Sequence, residues 1–403
     1  MDISMSWRAS RQHGGLTMEQ LMQRKRFLLD LGTSENEAEE LLLYNTNRFD
    51  HFILGQEISL PLIDEPFAAV WDAYVREAEE NGVYHTLQQK MVQLAFPVQK
   101  GISKSNAYRA VTLRGEDVSG CQEATGLALN HPESMQLFLH PTVAGRIPVI
   151  VIPDRSDFVS LVQAITCRNE PKNVPPSMGA CMVQGYNNWD RVHQAKAEWL
   201  RLYPEGDWTL EFFDFKEKKE LYRDRLILLS DGPYSNVSAA SMGLDTEEWL
   251  KKSLIIRLEH ECTHYMTRRL LGSMQNNLLD ELLADYRGIV AAFGAYRAVL
   301  FLTFMGLKNY PEYRAGGRFE NYKGEPPLSA GALSILQTLV YKAAIHLEEI
   351  EHSIAGTVID KDDRALVVLA LARMTLEELA GSKALEQFVG HWPMTFATFT
   401  TKE

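Results

Sequence analysis

Cysteine is scarce in this chain of 403 residues. The four present, Cys121, Cys167, Cys181 and Cys262, form no CxxC pair. A disulfide framework is therefore excluded, and a reduced, cytoplasmic setting is the expectation. Positive charge is also short: 41 lysines and arginines against 53 acids leave a net charge of −12, with no basic run or stripe. Binding to a phosphate backbone draws on such a stripe, so no nucleic-acid partner is expected. The opening "MDISMSWRASRQHGG" lacks the apolar core of a secretory leader. The most apolar run is "IVAAFGAYRAVLFLTFMGL" (289–307). Arg297 at its centre and Gly294 beside it favour a buried core helix over a membrane span, and no membrane partner is expected. Internal repeats and low-complexity tracts are missing too.

What remains is an ordinary globular composition, 45% apolar and 23% charged, in a chain long enough for two lobes. The region to about residue 95 reads as helical. "MEQLMQRKRFLLDLG" stops at Gly32, and "TSENEAEELLLYN" restarts with Ser34 and Glu37 as a capping box. "EPFAAVWDAYVREAEENG" and "HTLQQKMVQLAF" continue the helical spacing. Between Tyr108 and Leu229 the pattern changes. "YRAVTLRG", "TGLALN", "MQLFLH", "IPVIVIPD", "ACMVQGY", "TLEFFDF" and "RLILLSD" are predicted strands, with "RSDFVSLVQAIT" and "NWDRVHQAKAEWLRLYP" as helices among them. After Asp245 the chain reads as helix to its end. The class is α+β: a helical N-terminal region (1–95), a sheet-containing lobe (96–275) and a helical C-terminal lobe (276–403).

The chemistry sits in "LEHECTHYMTRRLLGSMQNNLLDELLADYRGI". The segment from Asp245 to Gly272 reads as one helix, with Asp245 and Glu248 at its start, Arg268 and Arg269 in the last turn and Gly272 just past the end. His260 and His264, four apart, share one face and can converge on one metal ion. Glu261 is rotated about 100° from His260, which sets its carboxylate beside such an ion rather than on it. A third donor has to come from another element. The next helix, with Asn277 as cap and Asp280 at its N3 position, carries Glu281 and Asp285 one turn apart. In an antiparallel pair Glu281 reaches the metal, and Asp285 orients a liganding imidazole.

These residues resemble the gluzincins, zinc metallopeptidases with HExxH on one helix and ExxxD on the next. The matching positions are His260, Glu261, His264, Glu281 and Asp285. Arg257 and the short connection from His264 to Glu281 depart from the family's habits. The resemblance implies a zincin-like fold with the metal site between the two lobes. It implies one Zn2+ per chain on His260, His264 and Glu281, Glu261 as general base, and hydrolysis of a peptide or other amide bond. It also implies an edge strand ahead of the motif helix that pairs with extended substrate; Asn236 and Ser238 to Ser241 would suit that role.

A zincin also needs a donor for the developing oxyanion. His346, His352, Tyr341, Arg314, Arg318 and Tyr322 are the candidates. His346 is assigned a catalytic role, and Arg318, in "YRAGGRFENY", a role in clamping a substrate carboxylate. Cys262 faces away from the histidine pair and reads as packing. Two other readings stay open: two histidines and a carboxylate also describe non-haem iron enzymes, and a zincin scaffold can serve as a catalytically silent interaction protein.

Overall fold

The computed structural model describes residues 17–49, 58–355 and 361–401. The opening stretch, where no leader is expected, lies outside them. The chain begins with α1 (Met18–Asp30), α2 (Glu35–Tyr44) and β1 (Ile58–Leu60). There follow α3 (Phe67–Asn81), α4 (Val83–Lys90), α5 (Asn106–Arg114), β2 (Gln136–His140), β3 (Ile147–Val151), α6 (Arg155–Thr166), β4 (Ala180–Asn187), α7 (Trp189–Leu202), α8 (Trp208–Phe215) and β5 (Arg223–Leu229). The remainder comprises α9 (Ala239–Met242), α10 (Thr246–Leu270), α11 (Asn277–Phe293), α12 (Ala298–Met305), α13 (Ala330–Ile354), α14 (Lys361–Leu371), α15 (Leu376–Ala380), α16 (Ala384–Thr398) and β6 (Phe399–Thr401). The class is mixed, α+β, with helix predominating over a small sheet.

Packing divides the chain into Ile63–Gly232 and a discontinuous unit of Met1–Leu62 with Pro233–Glu403. The expected divisions near residues 95 and 275 do not follow this packing. Helices α1 and α2 and the motif helix α10 belong with the C-terminal helices, because their polar and apolar partners lie there. Buried Arg24 of α1, for example, is ion-paired to Glu377 of α15 at 2.9 Å.

In the continuous unit the strand order is β2-β3-β5-β4. β2 and β4 run antiparallel to their neighbours, and β3 and β5 are parallel. All five residues of β3 are buried, as expected for a strand covered on both faces. Phe67, Trp71 and Tyr74 of α3 and Phe158, Leu161 and Val162 of α6 share a core with Ile150, Leu226 and Leu228 of the sheet. Four of the predicted strands are β2 to β5. Two are helices instead: "YRAVTLRG" lies in α5, whose N-cap Ser105 accepts from Tyr108 N and whose C-cap is Gly115, and "TLEFFDF" lies in α8, capped by Asp207. In both, end caps outweigh a β-branched or aromatic composition. "TGLALN" forms no strand. β5, the strand before the motif helix, is interior to the sheet rather than at its edge, and Asn236 lies in a 3-10 turn. The expected edge strand for substrate is therefore not formed by this segment.

In the discontinuous unit the capping box of α2 is formed as read, by Ser34 and Glu37. β1 pairs in parallel with β6. The apolar run 289–307 is not one helix. It breaks at Gly294, the left-handed C-cap of α11, and resumes as α12. Among the described residues α13 alone is long and apolar enough to cross a membrane by length and composition; it packs against α2, α12, α15 and α16.

The motif helix α10 and its successor α11 pack closely. At Gly288 an added Cβ would stand 2.7 Å from the backbone oxygen of Ile256 and 2.9 Å from its Cγ2. A backbone carbonyl in a helix cannot yield cheaply, so glycine sets how near the two axes come. Gly288→Ala is expected to destabilise the protein by about 1–3 kcal/mol, visible as a lowered Tm in thermal unfolding. An unchanged Tm would show that the helices have slack at this point.

Candidate metal centre

Helix α10 starts where expected: the Asp245 side chain accepts from Glu248 N at 2.8 Å. It ends with Gly272 in the left-handed region, at φ 70°. From Glu259 to Thr267 every residue is buried, so polar groups on this stretch need partners. Glu259 pairs with Arg287 of α11 at 2.8 Å, and the Thr263 hydroxyl donates to Glu259 O at 2.7 Å.

The two imidazoles turn the same edge inward. His260 Nε2 and His264 Nε2 are 3.0 Å apart. From α11, Glu281 brings Oε2 to 3.7 Å from the first and Oε1 to 3.7 Å from the second. One ligand atom from each of the three residues lies within 4.8 Å of the others. The outward nitrogens face carboxylates. His260 Nδ1 is 2.8 Å from Asp285 Oδ1, and His264 Nδ1 is 3.1 Å from Asp280 Oδ2, within ion-pair distance though off the ideal hydrogen-bond line.

This arrangement decides where the protons sit. An anionic oxygen beside each Nδ1 holds the ring proton there, so both Nε2 atoms present lone pairs. Two lone pairs 3.0 Å apart, with a carboxylate beside them, repel unless positive charge lies between. A proton can supply it. Burial opposes charge on His264, but Asp280, Glu281 and Glu261 outweigh burial and lift its pKa to about 10. A divalent ion fits equally well: with metal–nitrogen bonds of about 2.0–2.1 Å, tetrahedral coordination sets two nitrogens about 3.3 Å apart. The donor set, two neutral imidazoles and one carboxylate, suits zinc or iron.

Other side chains fix the ligands. The Tyr234 hydroxyl donates to Asp285 Oδ1 at 2.5 Å and lies 3.1 Å from His260 Nδ1. Arg318, itself buried, donates to Glu281 Oε2 at 2.9 Å and to Asp285 Oδ2 at 3.0 Å, and also contacts the Tyr234 hydroxyl. Burial works against charge on Glu281, yet His260, Arg318 and His264 together hold its carboxyl below the usual range. Glu261 is the contrast. It is 8% exposed, it takes no hydrogen bond from the described residues, and burial raises its pKa against the pull of both histidines. One buried acid is thus held ionised and its neighbour is made more basic.

A family model described as a family of unknown function, DUF7005, matches residues 26–383. The chain belongs to that family. No curated protein and no solved structure matches it.

In this DUF7005 chain the structure brings together His260, His264, Glu281, Asp285 and Arg318 of the residues singled out in the sequence. All lie in the discontinuous unit, so the expectation of a site assembled by two separate lobes is corrected. Arg318 is reassigned. Its guanidinium grips two of the protein's own carboxylates and has no free fork for a substrate. His346 does not join the cluster; its Nδ1 is 2.9 Å from Leu379 O, on α15. His352 lies over Glu348 O, and Tyr341 stacks on Tyr310. Tyr322 does come near, as a hydrogen-bond partner of Glu281. Arg257 is accounted for by its 2.8 Å bond to Pro233 O and its place over the Tyr234 ring. Cys262 is buried.

Three contributions went unread in the sequence. The sequence assigns Asp280 to the helix start, whereas the packing of α11 on α10 sets it at His264 Nδ1 while Asp285 stands at His260. Asn277 does not cap α11 with its side chain. It adopts φ 52° and donates Nδ2 to Tyr44 O at 2.6 Å. Tyr234 enters from a turn, and no spacing rule could have named it. Asp280→Asn is expected to weaken divalent-metal binding about 10–100-fold, measured by competition with a chromophoric chelator. Equal affinity would leave Asp280 without an orienting role.

Proposed function

We propose that this protein is a zinc-dependent hydrolase of an amide bond, with a zincin-like arrangement of α10 and α11. The observation that carries the reading is the pair of Nε2 atoms converging with Glu281, beside a buried carboxylate, Glu261, that takes no hydrogen bond from the described residues. His260, His264 and Glu281 would hold the ion, one per chain. Bound there, zinc supplies Lewis acidity toward a carbonyl oxygen and lowers the pKa of a coordinated water. Glu261, raised in basicity by burial, is suited to take a proton from water and return it to the departing amine. Asp285 and Asp280 keep the imidazole protons on Nδ1, and Arg318 and Tyr322 hold Glu281 to one orientation. A cytoplasmic peptide or small amide as substrate accords with the acidic charge balance and unpaired cysteines; nucleic acid and membrane are not proposed as partners.

The same three ligands would also hold iron, but an oxygenase has no use for an unengaged carboxylate next to the ligand set, so Glu261 favours hydrolysis. Glu261→Gln is expected to keep a metal content near that of the wild type and to lower hydrolysis roughly 10²–10⁴-fold. Metal analysis of both proteins and assays on short peptides with free and blocked ends provide the check. Undiminished turnover would remove Glu261 as the proton acceptor, and iron-dependent oxygen consumption would replace hydrolysis by the other chemistry.

A further inference from the structure

A cavity of about 570 Å³ is lined among others by Asn236, Thr303, Lys308, Asn309, Glu312 and Arg314. That volume falls in the range that holds a small molecule. Two segments leaving the metal centre build its walls. One is the turn after Tyr234, where Ser235 and Asn236 take left-handed backbone angles of φ 50° and 54°. The other is the loop that leads into Arg318. The loop closes on itself: Arg314 N donates to Gly306 O at 2.8 Å, and a Cβ on Gly317 would meet Met305 O at 2.6 Å. The loop is thereby pinned at its base, and Lys308 and Arg314, both exposed, line the cavity.

The lining is charged, and its charges are unspent. Among the described residues, the Lys308 ammonium makes no ion pair or hydrogen bond, and Arg314 makes only a long one, 3.4 Å to Thr303 O. Glu312 is within ion-pair distance of neither. The side-chain amides of Asn236 and Asn309 likewise have no partner among the described residues. Two uncommitted cations in one recess, in a chain of net charge −12, mark a place where an anion gains charge-assisted bonds. The amides and the single carboxylate of Glu312 add partners for hydroxyl groups.

We propose that this cavity binds a small hydroxylated anion, carrying a phosphate or a carboxylate, through Lys308 and Arg314. The site is separate from the metal ligands and does not depend on the hydrolase reading. Titration calorimetry on the full chain with glycerol 3-phosphate and with malate tests it, using Lys308→Ala/Arg314→Ala as the comparison and Glu261→Gln as the control. Saturable binding is expected, weakened about ten-fold or more in the double variant and unchanged in the control. Binding of the first probe alone identifies a phosphate site, binding of the second a carboxylate site, and binding of both a site that reads charge. Asn309→Asp, which adds negative charge without removing packing, is expected to weaken binding in the same direction. Absence of saturable binding by either probe overturns the proposal. So does binding that survives in the double variant, since the anion would then sit elsewhere.

Discussion

The closeness of two helices governs the candidate centre. Without a side chain at Gly288, α11 lies against the backbone of α10 at Ile256, and that distance lets donors from separate helices reach one point. The same closeness creates a demand. Two imidazoles whose outward nitrogens are held by Asp285 and Asp280 must face each other with lone pairs, and only positive charge relieves them. Much of the surrounding polar structure meets this requirement. Arg318 offsets the charge of Glu281 and Asp285, Tyr234 ties Asp285 to His260, and Arg257 seats Tyr234.

Helix pairs of this kind are costly to bury. Carboxylates, imidazoles and a guanidinium leave water together, and the Coulombic attraction among them is offset by desolvation. The arrangement is therefore better understood as precision than as stability: His260 is held by Asp285, His264 by Asp280 and Glu281 by Arg318, and Asp285 is held in turn by Tyr234 and Arg318. Glu261 stands outside this mesh. Among the described residues it takes no hydrogen bond, whereas His260, His264, Glu281 and Asp285 beside it all have polar partners; this contrast is what the proposed hydrolytic role rests on.

The motif helix was legible almost to the residue because its determinants are local: Asp245 at one end, Gly272 at the other, and a four-residue histidine spacing whose geometry follows from helical pitch. On the second helix Glu281 was legible as the candidate third donor for the same reason. What could not be read was contributed by packing at long range. Tyr234 comes from a turn, and Tyr44 and Asn47 reach the start of α11 from far back in the chain. Arg318 was noticed for its charge, but its partners were not foreseeable, since nothing local says whether a loop arginine turns inward. His346, an apolar-flanked histidine, was given chemistry and turned out to serve helix packing. In the sheet, β2 to β5 are legible as short β-branched or aromatic runs bounded by turn residues, whereas α5 and α8 share that composition and are set apart only by their caps.

The interrupted connectivity of the unit that carries the candidate centre bears on how the protein is made. Residues 63–232 are contiguous and contain the whole four-stranded sheet, so that portion can finish folding while synthesis is still under way. Arg24, made before that portion, finds its buried partner only when Glu377 is made, after it. The opening helices must therefore wait, unsealed, through most of translation, and His260, His264 and Glu281 are all made before that contact can form.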